Sequence, residues 1–276
     1  MVDCGILNFA SCLPDLFFSY FAGLLTSPLQ PLLTLIQQLL SAQVNFSLFA
    51  SLWAIIIYVL SMFYALLILY SGFQFIISGY DVIKRERAKE WLRNIVIMII
   101  LVQASFFIYD LAINISAVMT STTMSLMDNT FFNLGADGIT GIALQILFFG
   151  FFIVIAILTI IILILRYVIV SVGIVLFPLA IFFYFIPFLR SYGLLILNFL
   201  GICAFITFID AVILIGFSKI LEVAMFANIK IFVIIAGLIT IDILMFFLMF
   251  FSIIKATFNL GNKVAGFVAK IAAVTA

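Results

Sequence analysis

Residues 78–94 read SGYDVIKRERAKEWLRN, and Lys84 within that stretch is the first basic residue of the chain. The 83 residues before it hold no Lys or Arg, and then Lys84, Arg85, Arg87, Lys89 and Arg93 fall within ten positions. In an apolar chain such a change marks the point where the polypeptide first reaches the membrane face on which bases accumulate. The same stretch carries a helical pattern. Asp81 is placed to cap a helix start, and Ala88, Trp91, Leu92 and Ile95 share one face while the charges occupy the other. It reads as a short amphipathic stalk that leads into an apolar span.

The rest of the composition agrees. Of 276 residues, 68% are hydrophobic and 8% charged, with a mean hydropathy of +1.47, whereas a soluble domain is about a quarter charged. The apolar runs exceed the roughly 18 residues of a spanning helix and lack the period-two alternation of barrel strands. The fold class expected is therefore all-α, a polytopic helical membrane protein. The chain has no histidine, which excludes imidazole acid–base chemistry, His metal sites and Ser/His/Asp triads. It also has no GxxxxGK[ST] phosphate loop. No enzyme activity, cofactor or metal is expected, and ATP consumed in the process would be hydrolysed by a partner. The first fifteen residues lack the positive region of a secretory signal and are read as mature sequence.

Residues 1–47 hold short apolar runs broken by Pro14, Pro28 and Pro31. They read as extracytoplasmic interfacial helices with SPLQP as the turn between them, the alternative being a spanning helix kinked at Pro28. Spans are expected over about 48–77, 95–119, 139–165, 193–217 and 231–254, followed by a basic cytoplasmic tail over 255–276. The segment 167–189 lies between Arg166 and Arg190, and Gly173, Pro178 and Pro187 divide it into pieces half a bilayer long. If it spans, eight bases lie inside and four outside; if it is a broken or re-entrant hairpin, ten lie inside and only Lys219 and Lys230 outside. The hairpin satisfies the distribution of bases better. It predicts five transmembrane helices, the N-terminus outside and the C-terminus inside; a proline-kinked helix is the other reading.

Asp110, Asp210 and Asp242 fall within predicted spans, where an ionised carboxylate at mid-membrane costs at least about 3 kcal/mol. With Asn198 and Gln145 they are candidate path-lining or intramembrane polar residues; otherwise each is protonated and bonds a neighbouring helix. The basic stretch, with Lys84, Arg85, Arg87, Lys89, Trp91 and Arg93, is a candidate cytoplasmic partner-binding surface, able to meet an ATPase or nucleic-acid phosphates. It serves equally as a topogenic signal against anionic lipid. Cys4 and Cys12 lie on the expected outer side and could close a disulfide, whereas Cys203 reads as a small packing residue.

The stretch GFQFIISGYDVIKRERAKEWLRN, from Gly72 to Asn94, with its following span, resembles the helix, charged AK-containing loop, helix unit of type IV secretion membrane subunits and pilins. LRYVIVSVGIVLFPLAIFFYFIP, from Leu165 to Pro187, is similar to the Arg, Pro, Pro pattern of their polytopic inner-membrane subunit, the TrbL or VirB-six-like family with its archaeal CedA-type members. The resemblance covers about residues 48–217. It implies that Arg166, Pro178 and Pro187 mark a central irregular segment, and that the basic loop faces the cytoplasmic ATPases. It also implies a channel or scaffold for DNA transfer or import, self-associated, with a hexameric ATPase, pilin-like subunits and membrane lipids as partners and DNA as the transported substrate. Two alternatives stand beside it: a small-solute or ion transporter with a midplane site at the broken segment, and a scaffold that conducts nothing.

Overall fold

The computed structural model describes residues 20, 27, 29–42, 44–79, 81–127, 142–223, 225 and 229–275. Among them there is no strand. In chain order the helices are α1 (Leu29–Ser41), a 3-10 turn (Phe46–Phe49), α2 (Ala50–Ile77), α3 (Val82–Gln103), α4 (Ser105–Ser125), α5 (Ile142–Phe185), α6 (Arg190–Leu221) and α7 (Lys230–Thr275). Helices form because the apolar runs must satisfy their backbone internally. Four of them are long and apolar enough to cross a membrane, and the bent pair α3–α4 raises the number to as many as five. The chain is a multi-pass helical membrane protein. Helix α1, at 13 residues and about 20 Å, is too short to cross a hydrocarbon core of about 30 Å.

The basic stretch folds as its local chemistry dictates. Asn45 caps the 3-10 turn, its Oδ1 accepting from Ser47 N at 3.1 Å, and α2 then runs to Ile77. Asp81 Oδ1 accepts from Ile83 N at 3.0 Å and Lys84 N at 3.4 Å, which starts α3. Those two backbone bonds hold the Asp81 carboxyl below the usual carboxylate range. Ala88 and Ile95 are buried while Trp91 and Leu92 are half-buried, so the apolar face read from sequence is the packed one. Helices α2 and α3 run antiparallel. The Tyr70 and Trp91 rings meet edge to face at 6.2 Å, and at the far end Trp53 Nε1 donates to Ser105 Oγ at 3.0 Å.

Two expectations are corrected. The single span over 95–119 is divided, because α3 stops at Gln103 and α4 leaves at an angle of 59°. The bend falls beside Ser105, whose hydroxyl takes the Trp53 indole proton, so a side-chain contact marks the break with no Gly or Pro present. Of the breaks expected within 167–189, those at Gly173 and Pro178 do not occur, whereas the one at Pro187 does. Helix α5 continues through Gly173 and Pro178 to Phe185, and the turn comes at Ile186–Leu189, which contains Pro187. In apolar surroundings opening the helix would strand more polar groups than the one bond Pro178 removes. The apolar part of α5, Leu147–Phe185, has 39 residues and is about 58 Å long, nearly twice the hydrocarbon core. The spans expected over 193–217 and 231–254 lie inside α6 and α7, and α7 continues helically through the expected tail to Thr275.

The helices divide into two compact units. The first contains α1, the end of α4, α5 as far as Leu165, α6 from Ile206 and α7 as far as Phe246. In it Phe148 and Phe232 meet edge to face at 4.4 Å, and Gly237 admits the Phe217 ring, which a Cβ would touch at 3.3 Å. The second unit contains α2, α3, the start of α4, α5 from Arg166, α6 as far as Phe205 and α7 from Phe247. Its core joins Leu60 and Tyr64 of α2, Ile95, Met98 and Val102 of α3, and Ile181 and Phe182 of α5 with Ile186 just beyond it.

Gly173 makes a close approach within this second unit. A Cβ there would lie 2.2 Å from Tyr109 Oη and 2.8 Å from Leu200 Cδ2, while Tyr109 Oη itself donates to Val170 O at 2.9 Å. Gly173→Ala is therefore expected to cost about 1–3 kcal/mol by overpacking. Adding Tyr109→Phe, which deletes the nearest clashing atom, should recover part of that loss. A double-mutant cycle on unfolding in mixed micelles checks the coupling, and strict additivity would disprove the contact.

Candidate functional site

Three polar places interrupt the apolar packing. The first is the exposed end of the α2–α3 hairpin. Three ion pairs of spacing i,i+3 line the start of α3: Lys84–Asp81 at 3.6 Å, Lys89–Glu86 at 3.5 Å and Arg93–Glu90 at 3.6 Å. All are exposed and contribute little to stability. Arg85 and Arg87 are exposed and form no ion pair among the described residues. Two positions apart on a helix, they point about 200° from one another. Trp91, on the apolar face of the stretch, is half-buried against Tyr70, with its Nε1 unpartnered among the described residues.

The second place is a buried node in the second unit. Arg166 of α5, only 4% exposed, donates from Nε to Cys203 O at 2.9 Å and from Nη2 to Ala204 O at 3.2 Å. Ser116 Oγ of α4 donates to the same Ala204 carbonyl at 2.6 Å. Planar guanidinium geometry suits two successive carbonyls on one helix. Cys203 is fully buried as a free thiol, the packing role read from sequence. Arg190, at the start of α6, is exposed and lies 5.1 Å from the Tyr184 ring centroid, donating from Nη2 to Tyr184 Oη at 3.4 Å.

The third place is in the first unit. Thr159 Oγ1 of α5 donates to Ile155 O or to Asp242 Oδ2 of α7, both at 3.0 Å. Asp242 Oδ1 has no hydrogen-bond partner among the described residues. Asp210 of α6 is fully buried in this unit as well. A carboxyl in such surroundings either carries a proton or faces another polar group. Of the other candidate polar residues, Asp110 is half-buried on α4 and Asn198 is exposed on α6, both in the second unit. Gln145 lies at the start of α5, with its side chain outside the described residues, as are Cys4 and Cys12.

Sequence reasoning did not single out Thr159, which sits in an unbroken apolar run 83 positions from Asp242. Nor did it find Ser116 or the polar pair Tyr70 and Gln74, in which Gln74 Nε2 donates to Tyr70 Oη at 2.8 Å. The i,i+4 spacing of that pair was the one signal available. Among the described residues no group of three metal-ligating side chains occurs. No family model, curated protein or solved structure matches the chain.

Proposed function

We propose that the chain is a channel or scaffold component of a type IV secretion-like machine for DNA transfer or import, set in the cytoplasmic membrane and powered by separate ATPases. The observation that carries this reading is the exposed, charge-rich end of the α2–α3 hairpin, where Arg85 forms no ion pair among the described residues. It coincides with the helix, charged loop, helix stretch that resembles the membrane subunits of those systems. Self-association, a hexameric ATPase and pilin-like subunits are the partners this reading requires, and DNA is the cargo. The protein itself would perform no catalysis.

Counting α5 as one span gives the N-terminus outside and the C-terminus inside. Nine of the twelve bases then lie in the cytoplasm and only Lys219 and Lys230 outside, with Arg166 within the helix. The basic end of the hairpin is cytoplasmic in this arrangement. So is the α5–α6 turn, and Phe188→Cys, at a position 80% exposed, is expected to be labelled by an impermeant maleimide only from the cytoplasmic side. Labelling from outside would reverse the topology.

Purification from native membranes in mild detergent tests the function. A hexameric ATPase should co-elute with the intact chain and fall at least tenfold with Arg85→Glu. A second reading, a small-solute or ion transporter, is favoured by the Thr159–Asp242 bond and by Asp242 Oδ1, which has no hydrogen-bond partner among the described residues. Solute flux by the chain alone in liposomes, lost in Asp242→Asn, would replace the first reading with this one.

A further inference from the structure

The second unit holds a pocket of about 890 Å³, within the range of about 300–1,000 Å³ typical of small-ligand sites. Helix α2 lines it from Val59 to Gln74, α3 contributes Arg87 and Trp91, and the end of α5 with its turn closes the remaining side. Fifteen residues of helix separate Val59 from Gln74, which makes the pocket about 22 Å long.

Its chemistry is graded along that length. At the Val59 end the lining is Leu, Phe and Val. At the other end stand Arg87 and the Gln74–Tyr70 pair. Because Gln74 donates to Tyr70 Oη, the phenol is oriented as an acceptor towards the amide and its own proton is free to be given elsewhere. Arg87 is one of the two bases on this stretch without an ion pair among the described residues, and it is the one that lines the pocket. A helix surface this apolar inside a bilayer meets lipid chains, and a half-bilayer hydrocarbon depth of about 15 Å fits within the pocket with room for a headgroup at its mouth.

We infer that this pocket is a binding site for one anionic phospholipid, with a hydrocarbon chain lying along α2 towards Val59 and the phosphate held by Arg87 and Tyr70. A guanidinium takes a phosphate by two parallel charge-assisted hydrogen bonds. The zwitterionic lipids of the surroundings offer the same chain but place a cation beside the phosphate, so Arg87 selects for net negative charge. The site is a specific one, distinct from diffuse attraction of the whole basic stretch to an anionic surface. Arg85 supplies the comparison, having the same charge on the same helix but lying away from the pocket. The inference stands independently of the proposed function, since a transporter or an inert scaffold would hold the lipid equally well.

Native mass spectrometry of the full chain, delipidated and then titrated with phosphatidylglycerol or phosphatidylcholine, tests it. One phosphatidylglycerol should be retained per chain at least tenfold more strongly than phosphatidylcholine. Arg87→Gln should abolish the preference, and Arg85→Gln should leave it intact. Val59→Trp, at an exposed position that folding tolerates, should block the chain end and reduce retention of both lipids. Equal loss of preference in Arg85→Gln and Arg87→Gln would overturn the site in favour of diffuse attraction. Displacement of the lipid by millimolar inorganic phosphate, or a protein segment found in the pocket in the purified assembly, would overturn the assignment of a lipid.

Discussion

Gly193→Ala is expected to destabilise the protein by about 3 kcal/mol or more, at the upper end of overpacking costs because backbone must move. The same change at Gly201 should be neutral or stabilising by up to about 1 kcal/mol. Both glycines lie on α6, and alanine in a helix normally gains stability by restricting the unfolded chain. The difference lies in what a methyl group meets. At Gly201 nothing lies within 4 Å. At Gly193 a Cβ would fall 2.3 Å from Tyr184 N, 2.6 Å from Ala180 O and 2.7 Å from Tyr184 Cα, all atoms of the last turns of α5. None can rotate away. The turn between the helices is short, with Leu189 N donating to Ile186 O at 3.0 Å and Gly193 N to Leu189 O at 3.1 Å, so α6 cannot withdraw without breaking it. Unfolding in mixed micelles measures both variants. Equal effects at the two positions would show that α5 and α6 do not approach as closely as described.

This contact also explains what the sequence could and could not reveal. Asp81 and the Ala88, Trp91, Leu92 and Ile95 face were legible because capping and helical periodicity act within a few residues. The apolar spans were legible for a similar reason, since a bilayer imposes length and composition on each helix separately. Gly193 was not, because its importance arises from Ala180 and Tyr184, which no local pattern ties to it. Pro178 misled in the opposite sense. A proline carries a strong local preference for breaking a helix, and that preference was overruled by the cost of opening the backbone in apolar surroundings. The bend between α3 and α4 left no trace of Gly or Pro at Gln103-Ala104-Ser105, and its marker is a bond to Trp53, 52 positions away. The polar sites follow the same division. Asp242 was conspicuous as a charge in an apolar run, whereas its partner Thr159 was silent.

Arg166 is the residue whose reading changes most, from the marker of a broken segment to a clamp between intact helices. Arg166→Ala is expected to lower stability by about 3 kcal/mol, and Arg166→Lys by about 2 kcal/mol, from opposing contributions that can be weighed. Two hydrogen bonds from a charged donor are worth about 1.5–3 kcal/mol each. Removing the charge recovers an insertion cost of about 2.5–3.5 kcal/mol, which cancels much of that loss. The alanine variant then leaves a cavity where a long side chain had packed, and truncations of that size cost about 2–5 kcal/mol. Lysine avoids the cavity and keeps the insertion cost, but a single ammonium does not reproduce the fork that spans Cys203 O and Ala204 O. Ser116 continues to reach Ala204 O in either variant, so the carbonyl end of the node stays partly satisfied. A lysine variant as stable as the parent would show that the guanidinium fork is not used, and a silent alanine variant would remove the node altogether. The ordering Arg above Lys above Ala is the signature of a bidentate clamp, because a site that needed only positive charge would rank lysine with arginine.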